Sequence, residues 1–218
     1  MKKYILFDND GVLIETEMWY FEASKLALRE FFDLHLSFAR YMQIMANGQR
    51  AWVVAEEAGV SEADIVKARV KRDEYYQDYI KTKNINIAGV VETLESLSKN
   101  YMMAIVTTSR RVDFELAHLD SGIVDFMEFV LCVEDYPRSK PHPDPYLKAQ
   151  EMFGASKDEC IVVEDSKRGL SSAVDAGMEC VVVHNEFTKT HDLSAATYKV
   201  AKIDELPNLL AKFTRYSK

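Results

Sequence analysis

Five short apolar runs punctuate the chain: Tyr4 to Phe7, Met102 to Val106, Phe129 to Val133, Cys160 to Val163 and Cys180 to Val183. None alternates with polar residues, which is the pattern of strands covered on both faces within a parallel sheet. Helical patterns separate them. Val90, Leu94, Leu97 and Tyr101 recur at i, i+4, i+7 and i+11. Tyr146, Ala149 and Phe153 form a second stripe, with Pro145 near its start and Gly154 at its end, and Leu170, Ala173 and Val174 form a third, stopped by Gly177. Strand followed by helix, repeated, predicts an open α/β sheet.

The first crossover breaks the rhythm. About 70 residues beyond an ordinary βα connection separate Phe7 from the helix near Val90. They carry helical patterns of their own: Trp19, Ala23, Leu26 and Ala27 on one face, then Ile65, Ala68, Arg72, Tyr76 and Tyr79 along a longer amphipathic stretch. The expectation is a helical domain over residues 15–86, inserted into a sheet domain made of residues 1–14 and 87–218. There are no repeats and no low-complexity segments.

Composition narrows the partners. Hydrophobic residues make up 48% of the 218 and charged residues 28%, as in an ordinary globular protein. Lys and Arg number 27 against 35 Asp and Glu, a net charge of −8, which argues against nucleic acid and anionic membranes as partners. An anionic substrate would then need local positive charge, including a metal ion. Cys132, Cys160 and Cys180 each sit in or beside an apolar run, as buried thiols do. No stretch stays apolar for ~18 residues, so no membrane span is expected. Asp8 interrupts the opening too soon for a signal peptide, and the expected location is the cytoplasm. With no long exposed apolar patch legible, the expected state is a monomer.

Chemistry gathers at strand ends, where open α/β sheets bind ligands. The first strand runs into Asp8-Asn9-Asp10-Gly11-Val12. Two carboxylates two residues apart can face one pocket if the chain turns at Gly11, one attacking phosphorus and the other, protonated, serving the leaving oxygen. Asp8-Asn9-Asp10-Gly11 also suits a turn or a helix N-cap. Thr107-Thr108-Ser109 ends the second strand with hydroxyls and backbone N–H groups, either an anion site or another cap. Lys140 follows the third strand within a loop stiffened by Pro141, Pro143 and Pro145. Glu164-Asp165-Ser166 ends the fourth, with Gly169 opening the next helix. Those acids favour a helix dipole, or they join Asp8 and Asp10 around Mg²⁺, which takes oxygen ligands from one or two carboxylates.

The ordered set Asp8-Asn9-Asp10-Gly11-Val12, Thr107, Lys140-Pro141 and Glu164-Asp165-Ser166 resembles the haloacid dehalogenase superfamily. Within it, the chain resembles the β-phosphoglucomutase-like phosphatases, which carry a helical cap after the first strand of a Rossmann-like core. The resemblance implies Asp8 as nucleophile and metal ligand, and Asp10 as general acid and base with its backbone carbonyl on Mg²⁺. It implies phosphoryl contacts from Thr107, Thr108 and Ser109, charge neutralisation by Lys140, and a metal site completed by Asp165, with Glu164 binding directly or through water. In the cap, Gly48-Gln49-Arg50 resembles the stretch that meets the distal part of a substrate; Arg72 is a further candidate. Asn9 stands where an apolar residue is more usual, and Glu15 replaces a common Asp. Tyr20 stands where the mutases carry a hinge histidine. His118, His142 and His184 read as ordinary loop or packing residues.

The expected activity is therefore hydrolysis of small phosphorylated metabolites — sugar, sugar-acid or polyol phosphates — through an aspartyl phosphate on Asp8. The alternative is a phosphohexose mutase, which Tyr20 disfavours. A receiver domain shares the acidic pair, hydroxyl and lysine, but lacks so large an insertion.

Overall fold

The computed structural model describes residues 1–214. The strands are β1 (Tyr4–Phe7), β2 (Met102–Val106), β3 (Phe129–Leu131), β4 (Cys160–Glu164), β5 (Glu179–Val183) and β6 (Tyr198–Val200). The helices are α1 (Glu17–Phe32), α2 (Phe38–Ala46), α3 (Val53–Glu57), α4 (Glu62–Thr82), α5 (Val90–Ser98), α6 (Arg111–Ala117), α7 (Asp144–Phe153), α8 (Lys167–Asp175) and α9 (Leu206–Thr214). Two compact units divide the chain: Met1–Glu15 with everything from Asn86 onward, and Thr16–Ile85.

In the first unit six parallel strands lie in the order β3-β2-β1-β4-β5-β6. Tyr4 of β1 pairs with Met102 on one side and Cys160 on the other, so all three strands begin level, and β2 and β4 run one residue past β1. The chain winds outward from β1 to β3, then returns to β4 and winds the other way. That reversal opens a crevice beyond the ends of β1 and β4, where ligands bind in such sheets. The core explains the apolar runs: Leu6, Ala104, Val162 and Cys180 pack with Tyr146, Ala149, Leu170 and Ala173 from α7 and α8.

Three expectations shift. β3 stops at Leu131, because Asp135 folds back to accept from the Cys132 N–H at 2.7 Å and turns Val133–Asp135 into a 3-10 helix. A sixth strand, β6, was not marked by any apolar run. On α8 the buried face runs through Gly169, Leu170, Ser172 and Ala173, leaving Val174 exposed.

The helical unit has its own core, including Phe21, Leu28, Tyr41, Trp52, Ile65 and Ala68. On α4, Ile65, Ala68, Arg72, Tyr76 and Ile80 are buried, and the Ser61 side chain caps its start by accepting from the Asp64 N–H. On α1 the buried positions are Phe21, Ala23, Ser24, Ala27 and Leu28, while Leu26 faces out. Among the described residues no helix is long and apolar enough to cross a membrane. The three cysteines are buried free thiols; burial pushes Cys132 up to about 12 and Cys160 up to about 11, which leaves them poor nucleophiles.

Candidate active site

The site sits where β1, β2 and β4 end. Asp8 continues β1, its N–H bonded to the Val163 carbonyl at 2.8 Å. The chain then turns: the Asn9 carbonyl accepts from Val12, Leu13 and Ile14, and Gly11 takes φ +85°. A Cβ at Gly11 would lie 2.4 Å from Asp165 Oδ2, so only glycine both adopts that angle and admits the second acid.

Lys140 binds the cluster together. Its buried Nζ donates to Asp8 Oδ1 at 2.8 Å, to Glu164 Oε1 at 2.7 Å and to the Val106 carbonyl at 2.8 Å, and stands over the Tyr146 ring. Arg168 holds the loop by donating to the Lys140 carbonyl at 2.6 Å, and Ser172 donates to the His142 carbonyl at 2.6 Å. Glu164 is fully enclosed. Its Oε1 also accepts from the Tyr146 hydroxyl at 2.6 Å, and its Oε2 accepts from the Asp165 N–H and the Ser166 hydroxyl, each at 3.2 Å. The room comes from Gly169, where a Cβ would fall 1.7 Å from Oε1.

The electrostatics are one-sided. Burial, reinforced by the Glu164 charge, pushes the Asp8 carboxyl up to about 7 against the pull of Lys140. Burial also works against the Lys140 ammonium, yet Asp8 and Glu164 together hold it above the ordinary lysine range. The composition of the pocket is itself an imbalance, with three buried acids, Asp8, Glu164 and Asp165, gathered near one lysine.

That imbalance, and the donor set, fit a metal ion. Oxygens of Asp8, Glu164 and Asp165 lie within 4.8 Å of one another, all three residues buried. Hard oxygen donors at this spacing suit Mg²⁺ or a similar cation. The Asp10 side chain stands apart from this trio. Its Oδ2 accepts from Ser109 Oγ at 2.7 Å, Thr107 Oγ1 at 3.3 Å and Asn9 Nδ2 at 3.3 Å. Thr107 is itself fixed, its Oγ1 accepting from the Ser109 N–H and its carbonyl from the Tyr136 hydroxyl. Thr108 is exposed at the same turn.

Thus Asp8, Asp10, Thr107, Ser109, Lys140, Glu164 and Asp165 converge. Gly48, Gln49 and Arg50 form an exposed turn of the helical unit after α2. Arg72 is buried in that unit, its guanidinium 4.3 Å from the Tyr20 ring centroid and its Nε donating to Asp73 at 2.7 Å. Sequence reasoning missed Tyr146 as a hydrogen-bond donor. It also missed Asn185, whose Nδ2 donates to the Gly11 carbonyl at 3.2 Å and to Glu15 at 2.8 Å. Asn185 follows β5 as the site acids follow β1 and β4, and that position was its only signal.

Residues 5–183 match the family described as haloacid dehalogenase-like hydrolase. Protein CbbY of Rhodobacter capsulatus is 28% identical over 213 residues, spanning 91% of this chain and 92% of that protein. The phosphorylated carbohydrates phosphatase of Thermotoga maritima is 26% identical over 218 residues, spanning 94% and 97%. The crystal structure of CbbY from Rhodobacter sphaeroides in complex with phosphate superposes with a TM-score of 0.81 at 20% identity, covering 94% of this chain and 96% of that one.

Proposed function

The chain belongs to the haloacid dehalogenase-like hydrolases, and we propose that it is a Mg²⁺-dependent phosphatase that hydrolyses small phosphorylated metabolites through an aspartyl phosphate on Asp8. The single observation that carries this reading is the Asp8 carboxylate held by Lys140 at a strand end, with Asp165 and Asp10 beside it.

In the first step an Asp8 oxygen bonds to phosphorus as the bond to the substrate's ester oxygen breaks, and Asp10 gives that oxygen a proton. In the second, water attacks the same phosphorus, Asp10 takes its proton, and inorganic phosphate leaves with Asp8 restored. Lys140 offsets charge on Asp8 and on the transferred group, while Thr107, Ser109 and the Thr108 N–H hold phosphoryl oxygens. Asp8, Asp165 and the Asp10 backbone carbonyl would hold the cation, with Glu164 in reach. When bound, it would neutralise phosphoryl charge and draw together acids that otherwise repel. Glu164 also has a second task, since its bonds to Lys140 and Tyr146 keep the ammonium aimed at Asp8.

Residues 15–86 take the role of a cap, with Gly48, Gln49 and Arg50 selecting the distal part of the substrate. Substrates in the sugar, sugar-acid or polyol phosphate class accord with the name of the Thermotoga relative. Tyr20 disfavours the mutase alternative: its ring is packed edge-on against Tyr76 and under Arg72, and it has no imidazole to move a proton.

A panel of metabolite phosphates, scored by released phosphate, tests the reading. Turnover should require a divalent cation and vanish in Asp8→Asn. Full activity of that variant, or activity unaffected by chelator, would refute it.

A further inference from the structure

Among the buried polar side chains that make no contact with phosphate in this reading, one connected set lies behind Asp10. Asn9 is only 1% exposed, although the strand leading to it is apolar and fully buried from Ile5 to Phe7. An enclosed amide is costly unless both its ends are bonded. Both are. Its Oδ1 lies 2.8 Å from His118 Nε2, and its Nδ2 donates to Asp10 Oδ2 at 3.3 Å. His118, buried just after α6, places Nδ1 2.9 Å from Ser121 Oγ, which in turn accepts from the Ile123 N–H.

Chemistry sets the direction of this line. An amide oxygen only accepts, so His118 donates through Nε2 and its Nδ1 accepts the Ser121 hydroxyl proton. Reversing the Asn9 amide would press its oxygen against the Asp10 carboxylate. The donors therefore run one way, from Ser121 to His118 to Asn9 to Asp10, each bond polarising the next. Burial lowers the His118 pKa to about 4, so the imidazole stays neutral and keeps the single Nε2 proton that the line requires.

We infer that Asn9, anchored by His118 and Ser121, is a positioning residue that fixes the Asp10 carboxylate for proton exchange with the substrate's leaving oxygen. The inference rests on the reading of Asp10 as acid and base. Ser109 and Thr107 reach the same Oδ2 from the β2 side, and Asn9 reaches it from the β1 turn. Donors from the ends of two strands thus meet on that one oxygen and fix its position. A displacement of about 1 Å in a reacting group can cost about 10²-fold in rate.

The test compares two substrates with different need for that proton. Glycerol phosphate loses a basic alkoxide that must be protonated, whereas nitrophenyl phosphate loses a phenolate stable without one. In Asn9→Leu, kcat/KM for glycerol phosphate should fall about 10–100-fold and for nitrophenyl phosphate no more than about 3-fold. His118→Phe should behave alike, and His118→Gln, which can still donate to Asn9, should recover most of the loss. Equal losses on both substrates, or none, would overturn the inference. If Asn9→Leu does not fold, the two His118 variants carry the same comparison. Asp10→Asn run alongside separates the two claims: if it spares glycerol phosphate, the reading of Asp10 fails on its own account. Should the wild type release no phosphate, crystal structures of wild type and Asn9→Leu decide. An Asp10 carboxylate shifted away from Ser109 supports the strut, and an unmoved one refutes it.

Discussion

The two units bury polarity in opposite ways. Of the sixteen buried polar or charged residues among the described residues, only Thr16, Ser24 and Arg72 belong to the helical unit. The sheet unit encloses the rest, including Asp8, Lys140, Glu164 and Asp165 in one cluster. Its charges hold one another in place and leave a surplus of negative charge, whereas Arg72 is flanked by aromatic rings and by Asp73, an immediate neighbour in sequence. In the helical unit polar burial is sparse and local, whereas the cluster of the sheet unit is dense and draws on residues far apart in the chain.

Asp8→Asn tests the contrast most severely. If Asp8 is the proposed nucleophile, phosphate release should drop at least about 10³-fold. Without divalent cation the variant should also be more stable above pH 7, by roughly 1–2 kcal/mol or about 2–8 °C in Tm. The sign follows from the raised carboxyl: with a folded pKa of about 7 against an ordinary 3.8, the native state loses stability as pH rises through that window. The gain should therefore fade on acidification towards pH 4. A less stable variant would mean that the Asp8 charge is well matched in the fold.

Removing a buried basic residue from each unit comes next. Lys140→Met leaves Asp8 and Glu164 buried without their shared partner and should cost about 3–5 kcal/mol by urea unfolding at neutral pH. Arg72→Met loses ring stacking and one local ion pair and should cost about 1 kcal/mol. Equal costs would erase the distinction between the units.

A last effect appears only on acidification. His118 is buried with its pKa lowered to about 4, so on acidification the unfolded chain takes up a proton before the native state does. Its share of stability is intact above about pH 6.5 and lost progressively towards pH 4, by at most about 3 kcal/mol. His118→Gln should flatten that part of the pH profile.

What the sequence reveals follows the same division. The strands of the sheet were legible because β1, β2, β4 and β5 are nearly continuous apolar runs, enclosed on both faces. The sixth, Tyr198–Val200, escaped because it is three residues long and carries Lys199 outward at the sheet edge. Asp8, Asp10 and Asp165 stood out because they follow strand ends, and Lys140 because prolines stiffen its loop beyond β3. Tyr146 was read as core, and it is; nothing in a helical stripe announces that its hydroxyl reaches Glu164. The Asn9–His118 bond joins residues 109 apart, and an unusual Asn and an unremarkable His acquire meaning only when the fold brings them together. For the exposed Gly48-Gln49-Arg50 turn, sequence supplies a resemblance and no partner.

The proposed chemistry requires that phosphorus become bonded to Asp8. Borohydride reduces an acyl phosphate to an alcohol, so quenching turnover with it and mapping the peptides by mass should convert Asp8, and no other carboxylate, to homoserine in the presence of substrate and Mg²⁺. Steady phosphate release with Asp8 unmodified, or with the label on another residue, would contradict it.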